Sequence, residues 1–585
     1  MSLGKITLTI DHQEVTVDRG TTIMQAASKI GIHIPRLCYH PHLSLEGSCR
    51  VCIVKVKGIE SFVASCCAEV QEGMMVQTNS PEIRQARRDI VELLIDNHPR
   101  ECQICERDGN CELQNLAYSM GVRERLYEGE RKRYPLEDSS VSVVRDAEKC
   151  VLCGRCFRAC SEIQGIANLS QQRRGVATLV APAHEANMDS SVCVQCGQCI
   201  NVCPTAAFQE KRHTDRVWQA LNDPNKLVIA QTAPAIRAAI GEGFGYEPGT
   251  PCTGKMVTAL RRLGFDVVFD TDFAADLTII EEANELTERL KNNGVLPHIT
   301  SCSPGWVNFV EEFYPDLLDC VSSCRSPMTM MSTVLKTYYA QKIGRRPEDI
   351  FVVAIMPCVA KKIEIERPEF SLNGNQLTDA VLTTRELNWM IKSYGIDFTK
   401  LPDGEFDDPL GESTGAGVIF GATGGVLEAA LRTAASNILN QPLAKFEFEM
   451  VRAPIGGIKE AEINIGELTL KVAVANGLVN AKKILNAVRS GENKYHVVEV
   501  MACPGGCIGG GGQPYPPRGY EVLDDDLIIK RAKALYKIDE AKKIRVSHDN
   551  PAVKKLYQEF LGSPGSEIAH QLLHTKYYPR VKRGI

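Results

Sequence analysis

The sequence lacks the features that would tie it to a membrane, an export route or a nucleic acid. No apolar run approaches the roughly 20 residues that span a bilayer. The N-terminus, MSLGKITLTIDHQEVTVDRG, alternates apolar and polar residues and carries acids, which is not the layout of a signal peptide. Positive charge is not in excess: the formal net charge of −5 argues against nucleic acid or an anionic membrane as the main partner. There is no low-complexity segment, and no G-x-G-x-x-G fingerprint opens a strand–helix unit. The chain is therefore expected in the cytoplasm, a reducing compartment. There, 23 cysteines imply metal or redox chemistry rather than disulfides.

At 585 residues the chain exceeds one core, and about 100–200 residues per domain predicts three to five units. Residues 5–10 (KITLTI) and 14–17 (EVTV) alternate with period two and read as a hairpin, followed by a helix from about 22 to 30 and a cysteine-bearing loop. That order suits a ubiquitin-like (β-grasp) ferredoxin at 1–78. Helical periodicity with a leading proline over 81–97 runs into the second cysteine group, giving a unit at 79–137. The charged, irregular stretch EGERKRYPLEDSS (128–140) reads as a boundary, and two CxxCxxC groups, an internal repeat, occupy a unit at 138–212. Beyond about 215, the strand-like runs LVIAQT, DVVFD, IFVVAIM and VVEVMA alternate with helical patterns such as ANELTERLKNNG and ILNAVRSG, an α/β signature assigned to 213–520. The Lys-rich remainder, 521–585, reads as helical and wrapped on the main body. The expected class is a multidomain α+β chain.

Fifteen cysteines and one histidine fall into four spacings. Cys38-x10-Cys49-x2-Cys52-x13-Cys66, behind the hairpin, reads as a [2Fe–2S] site, because soft thiolates suit iron and Gly47 frees the GSCRVC loop to wrap a cluster. Zinc is the bland alternative, and Cys67 competes with Cys66 for the last place. His98-x3-Cys102-x2-Cys105-x5-Cys111 is one thiol short of a [4Fe–4S] ligand set. A histidine beside proline is usually a surface residue, but three cysteines in need of a partner favour His98 as ligand. A neutral imidazole would raise that cluster's potential. Cys150-x2-Cys153-x2-Cys156-x3-Cys160 and Cys193-x2-Cys196-x2-Cys199-x3-Cys203-Pro204 form the two-cluster ferredoxin run, in which each fourth cysteine serves the other cluster. Cys203 is thus paired with the Cys150 group, and Cys160 with the Cys193 group.

Four clusters in series make a conduit that must end somewhere. Among the remaining cysteines, three motifs stand out: Thr300-Ser-Cys-Ser-Pro-Gly-Trp306, Met356-Pro-Cys-Val-Ala-Lys361 and Met501-Ala-Cys-Pro-Gly-Gly-Cys507. They read as loops at strand ends that bring distant thiols together. The run GGCIGGGG (505–512) lacks the Lys-Ser/Thr ending of a phosphate loop.

These motifs resemble the three signature segments of the [FeFe]-hydrogenases, and the resemblance covers essentially the whole chain. The N-terminal order of clusters is similar to the accessory domains of larger members, and HQLLHTKYYPR resembles the small-subunit segment fused to the catalytic domain. Within the family the chain looks most like the catalytic subunit of multimeric NAD(P)-linked cytosolic enzymes. The resemblance implies an H-cluster, a [4Fe–4S] cubane joined through one cysteine to a di-iron centre with CO, CN⁻ and a dithiolate bridge, catalysing 2H⁺ + 2e⁻ ⇌ H₂. It implies Cys358, Cys503 and Cys507 as cubane ligands, with Cys507 favoured over Cys503 as the bridge. Lys361 would hold a cyanide by a charge-assisted hydrogen bond, Met356 and Met501 would pack the di-iron unit, and Ala233, Pro234 and Ala235 would line the pocket. It also implies a proton path through Glu282, Glu285, Ser322 and Arg289. On spacing alone, Glu282 and Glu285 share a helix face and would read as solvated acids; the family match reverses that reading.

The sequence departs from the family once. The first motif usually reads Thr-Ser-Cys-Cys-Pro, its first cysteine relaying protons and its second binding the cubane; here the pair is Cys302–Ser303. Either Cys302 is the relay and serine, a poor match for a soft cluster, stands in the ligand's place, or Cys302 becomes the ligand. Two other functions compete. An electron-transfer subunit like that of respiratory NADH dehydrogenases would share the first cysteine groups but lack the MPC and CPGGC segments, so residues 300–507 discriminate. A hydrogen sensor would carry an output module, and none is visible. The expected partners are flavin/NAD(P)-binding and iron–sulfur subunits, with ferredoxin a further candidate, and H₂ and protons as substrates.

Overall fold

The computed structural model describes residues 4–127, 129–439 and 448–580; the outer ends of the first and last expected units, 1–3 and 581–585, and the first residue of the charged 128–140 stretch lie outside them. At the N-terminus, strands Lys5–Ile10 and Gln13–Asp18 pair antiparallel, and the short strands Ile53–Val56, Val63–Ala64 and Met75–Gln77 complete a five-stranded sheet. Alternation puts Ile6, Leu8, Ile10, Val15 and Val17 on one face, where Ile23, Met24, Ala26 and Ala27 of helix Ile23–Lys29 cover them. Thr22 starts that helix through a reciprocal capping pair with Gln25. Helices Pro81–Asp96 and Glu112–Ser119 then share an apolar layer with Leu37 and Val51, so the first two cluster regions pack on one another.

The internal repeat is visible in the backbone. Both CxxCGxC loops turn at a left-handed glycine, Gly154 (φ 74°) and Gly197 (φ 76°), into short helices, Arg155–Arg158 and Gln198–Val202. Beyond it lie two four-stranded sheets. One is all parallel, in the order Val267–Asp270, Leu227–Thr232, Ile350–Ile355, Ala380–Leu382. The other runs His298–Ile299, Val497–Met501, Leu468–Asn476, Ile458–Ile465, parallel except for its last hairpin. Helix Thr271–Lys291 is longer than its ANELTERLKNN end predicts. Phe273, Ala274, Ala275, Leu277 and Ile279 are all buried, so its first turns show no amphipathic stripe.

The last segment is helical over Asp525–Ala541, Pro551–Leu561 and Glu567–Leu573. It wraps the two-sheet body: Ile528, Ala532 and Leu535 pack on Ala235, Val418 and Ile508, while Val553, Leu556 and Leu573 pack on Phe269, Phe273 and Leu277. Among the described residues no helix is long and apolar enough to cross a membrane.

Candidate metal centres and active site

The structure gathers each outer ligand set. Cys52 Sγ lies 3.3 Å from Cys66 Sγ, the Cys49 N–H donates to Cys38 Sγ at 3.5 Å, and Cys38 also bonds Cys66. Cys67 is exposed, at the edge of this set, with its sulfur 3.5 Å from that of Cys66. His98, Cys102, Cys105 and Cys111 line one cavity. His98 Nδ1 lies 2.9 Å from the Pro99 carbonyl, which places the ring proton there and leaves the buried Nε2 without a partner. That arrangement fits a metal-ligating imidazole, whose outer N–H is normally held by a carbonyl or carboxylate. Cys150, Cys153, Cys156 and Cys203 line a second cavity, while Cys160 faces Cys193 and Cys199. Burial pushes the thiols of Cys153 and Cys193 up to about 12, and a bound metal cation would favour the thiolate at both.

The sets are not arranged in simple series. Arg158 donates to the carbonyls of both Cys38 (2.6 Å) and Cys153 (3.2 Å), and Arg107 donates to the Cys203 carbonyl at 2.8 Å from beside Cys105 and Cys111. Both N-terminal sets therefore abut the Cys150–Cys203 set. Beyond it, the Cys193 set touches the catalytic body. Gln198 and Asn201 donate to the carbonyls of Gly509 and Gly510, each at 3.3 Å. A Cβ on Gly511 would lie 2.5 Å from the Cys196 carbonyl oxygen, which is why the chain carries glycine there.

In the catalytic body four strands deliver the motifs from their carboxyl ends, where open α/β sheets characteristically bind ligands. Leu227–Thr232 leads to Ala233, Pro234 and Ala235, and Ile350–Ile355 to Met356 and Cys358. His298–Ile299 leads to Cys302 and Ser303, and Val497–Met501 to Cys503 and Cys507. Trp306, fully buried, donates its indole N–H to the Thr300 carbonyl at 2.9 Å and pins the first loop. Cys358, Cys503 and Cys507 face one another, and burial pushes them up to about 12, 11 and 12. Three converging thiols, Cys503 buried and Cys358 and Cys507 half-buried, fit the cubane end of an H-cluster.

The neighbours Cys302 and Ser303 point apart. Cys302 sits in an apolar pocket with Met501, Ala275, Ile279, Ile419 and Phe420, facing Glu282, Cys507 and Glu499, and burial holds its thiol well above the ordinary range. Ser303 Oγ instead accepts from the Ala502 N–H at 3.4 Å, next to Cys503. Lys361 crosses from the other sheet, its ammonium 3.4 Å from the Cys302 carbonyl and held by Glu364 (2.7 Å) and Ser326 (2.8 Å). Met356 is buried in the adjoining core with Ala233.

Glu282 and Glu285 are not solvated acids. Burial, reinforced by the charge of Glu285, raises Glu282 to about 8. Ser322 donates to Glu285 at 3.0 Å and lies beside Glu282. Burial would raise Glu285 too, but the facing His298 and Arg289 and the hydrogen bonds of Arg289 (2.6 Å) and Ser322 hold it at about 2. Glu499 escaped the sequence reading. It is fully buried, accepts from the Gly424 (2.6 Å) and Leu427 (2.7 Å) N–H groups, and is raised by burial to about 7. A lone acid inside the apolar strand VVEVM was the signal available for it.

Known proteins share this layout. Residues 226–511 match the iron only hydrogenase large subunit, C-terminal domain, and 525–580 the iron hydrogenase small subunit. Residues 4–81 match a 2Fe-2S iron-sulfur cluster binding domain, 87–125 the NADH-ubiquinone oxidoreductase-G iron-sulfur binding region, and 149–207 a 4Fe-4S dicluster domain. The NADP-reducing hydrogenase subunit HndD of Solidesulfovibrio fructosivorans is 49% identical, over 99% of this chain and 100% of that one. Iron hydrogenase 1 of Clostridium pasteurianum is 42% identical over 98% and 99%. The solved structure of apo [FeFe]-hydrogenase HydA1 from Chlamydomonas reinhardtii superposes with a TM-score of 0.55 at 43% identity, covering 62% of this chain and 98% of that one. Domain order, motifs and end-to-end identity agree, and the chain belongs to the [FeFe]-hydrogenases, as a catalytic subunit carrying accessory iron–sulfur domains.

Proposed function

We propose that the chain interconverts H₂ with protons and electrons at an H-cluster held by Cys358, Cys503 and Cys507. The observation that carries this is the meeting of those three thiols beside Cys302, which itself faces the buried acid Glu282. When bound, the di-iron centre supplies the redox chemistry of making and splitting H₂, and the protein positions and protonates around it. Cys507 is the reading's bridging thiolate. Ser303 stands in the fourth ligand's place as an oxygen donor, because Cys302 is turned toward Glu282 and so takes the relay role. Lys361, braced by Glu364 and Ser326, presents its ammonium to a cyanide. Met501 and Met356, with Ala233, Pro234 and Ala235, keep water out.

Protons run from Cys302 to Glu282, through the Ser322 hydroxyl to Glu285, and on to the Arg289 end of helix Thr271–Lys291. A Glu282 raised to about 8 is suited to both giving and taking a proton near neutrality. Electrons pass through the Cys193 and Cys150 [4Fe–4S] sites, then to the His98 [4Fe–4S] or the Cys38 [2Fe–2S] site. Their partner is a cytoplasmic flavin subunit, which binds NAD(P), with ferredoxin a second acceptor; the name of the HndD relative, an NADP-reducing hydrogenase subunit, favours NADP. Infrared spectroscopy tests the assignment. Matured protein should show metal-bound CO and CN⁻ bands, and their absence from active, iron-replete protein would sink it.

A further inference from the structure

The proton line above needs an outer end that titrates. Arg289 cannot supply one, because a guanidinium stays protonated at any pH at which proteins function. A second hydrogen-bonded line leaves Glu285 in another direction. Ser323 donates to Glu285 Oε2 through its backbone N–H (3.0 Å) and its hydroxyl (3.1 Å), and the same Oγ lies 2.8 Å from His574 Nδ1. His574 Nε2 lies 3.1 Å from Glu281 Oε2, whose other oxygen accepts from the Tyr557 hydroxyl and which also takes the Gly565 N–H at 2.9 Å. His574 belongs to the C-terminal segment, which is stitched to the 320s loop by Arg325 N–H to Leu573 O (2.8 Å), Thr575 N–H to Ser323 O (2.8 Å) and Arg325 Nε–H to His574 O (3.0 Å). Its ring is 7% exposed and stacks on that of His570, centroids 4.2 Å apart, on the open side of helix Glu567–Leu573.

We propose that His574, contributed by the C-terminal segment, is the proton-exchanging side chain at the outer end of the proton path, linked to Glu285 through Ser323 and to solvent past His570. This rests on the proton line proposed above. In the outward direction the Glu285 carboxylic O–H passes its proton to Ser323 Oγ while the Ser323 hydroxyl gives its own to Nδ1. The products are a carboxylate, an intact serine and an imidazolium, with no electron moved; the inward step is the reverse. Glu281 lies on the far side of the ring and Glu285 beyond Ser323. Arg325 and Arg289 are the cations nearby, and Cys324, Tyr557 and His570 complete its titratable surroundings.

Full-length, matured His574→Gln keeps hydrogen-bonding groups toward Ser323 and Glu281 but cannot carry a proton. It should lose roughly 100-fold in H₂ evolution at pH 7 while keeping iron content and the infrared bands of the resting protein. His574→Ala should be equally slow, and added imidazole should restore it at least about tenfold, with methylimidazoles of different basicity shifting the pH profile accordingly. A wild-type rate for His574→Gln, or slow variants with no imidazole rescue, would overturn the proposal. Full activity in Glu282→Gln would instead sink the proton line on which it depends.

Discussion

Glu282→Gln separates what burial does to this carboxyl from what the carboxyl does for turnover. Glu282 is 3% exposed, and burial with the nearby Glu285 raises it from 4.5 to about 8. A group raised in this way stabilises the fold fully only below about 4.5, and that contribution is lost as the pH climbs through 8. Between those limits each pH unit costs about 1.4 kcal/mol, so relative to acid solution the folded state gives up about 3 kcal/mol by pH 7 and about 5 kcal/mol by pH 9. Glutamine has nearly the same shape and no charge to bury. The stability of the variant relative to wild type should therefore rise by about 4 kcal/mol from pH 5 to pH 9. Trp218, Trp306 and Trp389 all lie in the two-sheet region, so urea unfolding followed by tryptophan emission reads that region alone. Hydrogen turnover should fall by a factor of about 10² to 10⁴ in the same protein. A stability difference that does not change with pH would refute the buried-acid reasoning, and undiminished turnover would refute the relay.

Two further substitutions address the ligand sets. Cys302→Ala should abolish turnover while the EPR signal of the cubane and the CO and CN⁻ bands persist; loss of the cubane signal would make Cys302 its ligand and return Ser303 to a bystander. His98→Cys exchanges a neutral ligand for an anionic one, so the midpoint potential of that [4Fe–4S] cluster should drop in a redox titration followed by EPR. An unmoved potential would mean that His98 does not bind it.

Much of the architecture was legible because the informative residues sit close together in sequence. CxxC spacings declare cluster loops whatever surrounds them, and the Lys5–Ile10 hairpin and the Thr22 cap are set by neighbours a few residues away. What was not legible depends on long-range burial. The first turns of helix Thr271–Lys291 are covered on every side, and nothing in their periodicity marks a helix. Glu282 and Glu285 look like solvated acids until Ser322, about 40 residues downstream, closes over them. The different surroundings of Cys302 and Ser303 depend on Ala502, some 200 residues away, and the contact of both N-terminal sets with the Cys150 set on two arginine side chains, Arg158 and Arg107.

The glycine run after Cys507 ties the filling of one metal site to the filling of another. The stretch that carries Cys503 and Cys507 is the one whose carbonyls receive Gln198 and Asn201 and whose Gly511 rests against the Cys196 carbonyl. A ferredoxin loop without its iron has no reason to hold those side chains in place, and the catalytic thiols then lose the wall behind them. Metal binding to such sites is itself folding free energy. Iron bound at the Cys193 set would therefore also steady the glycine run that follows Cys507.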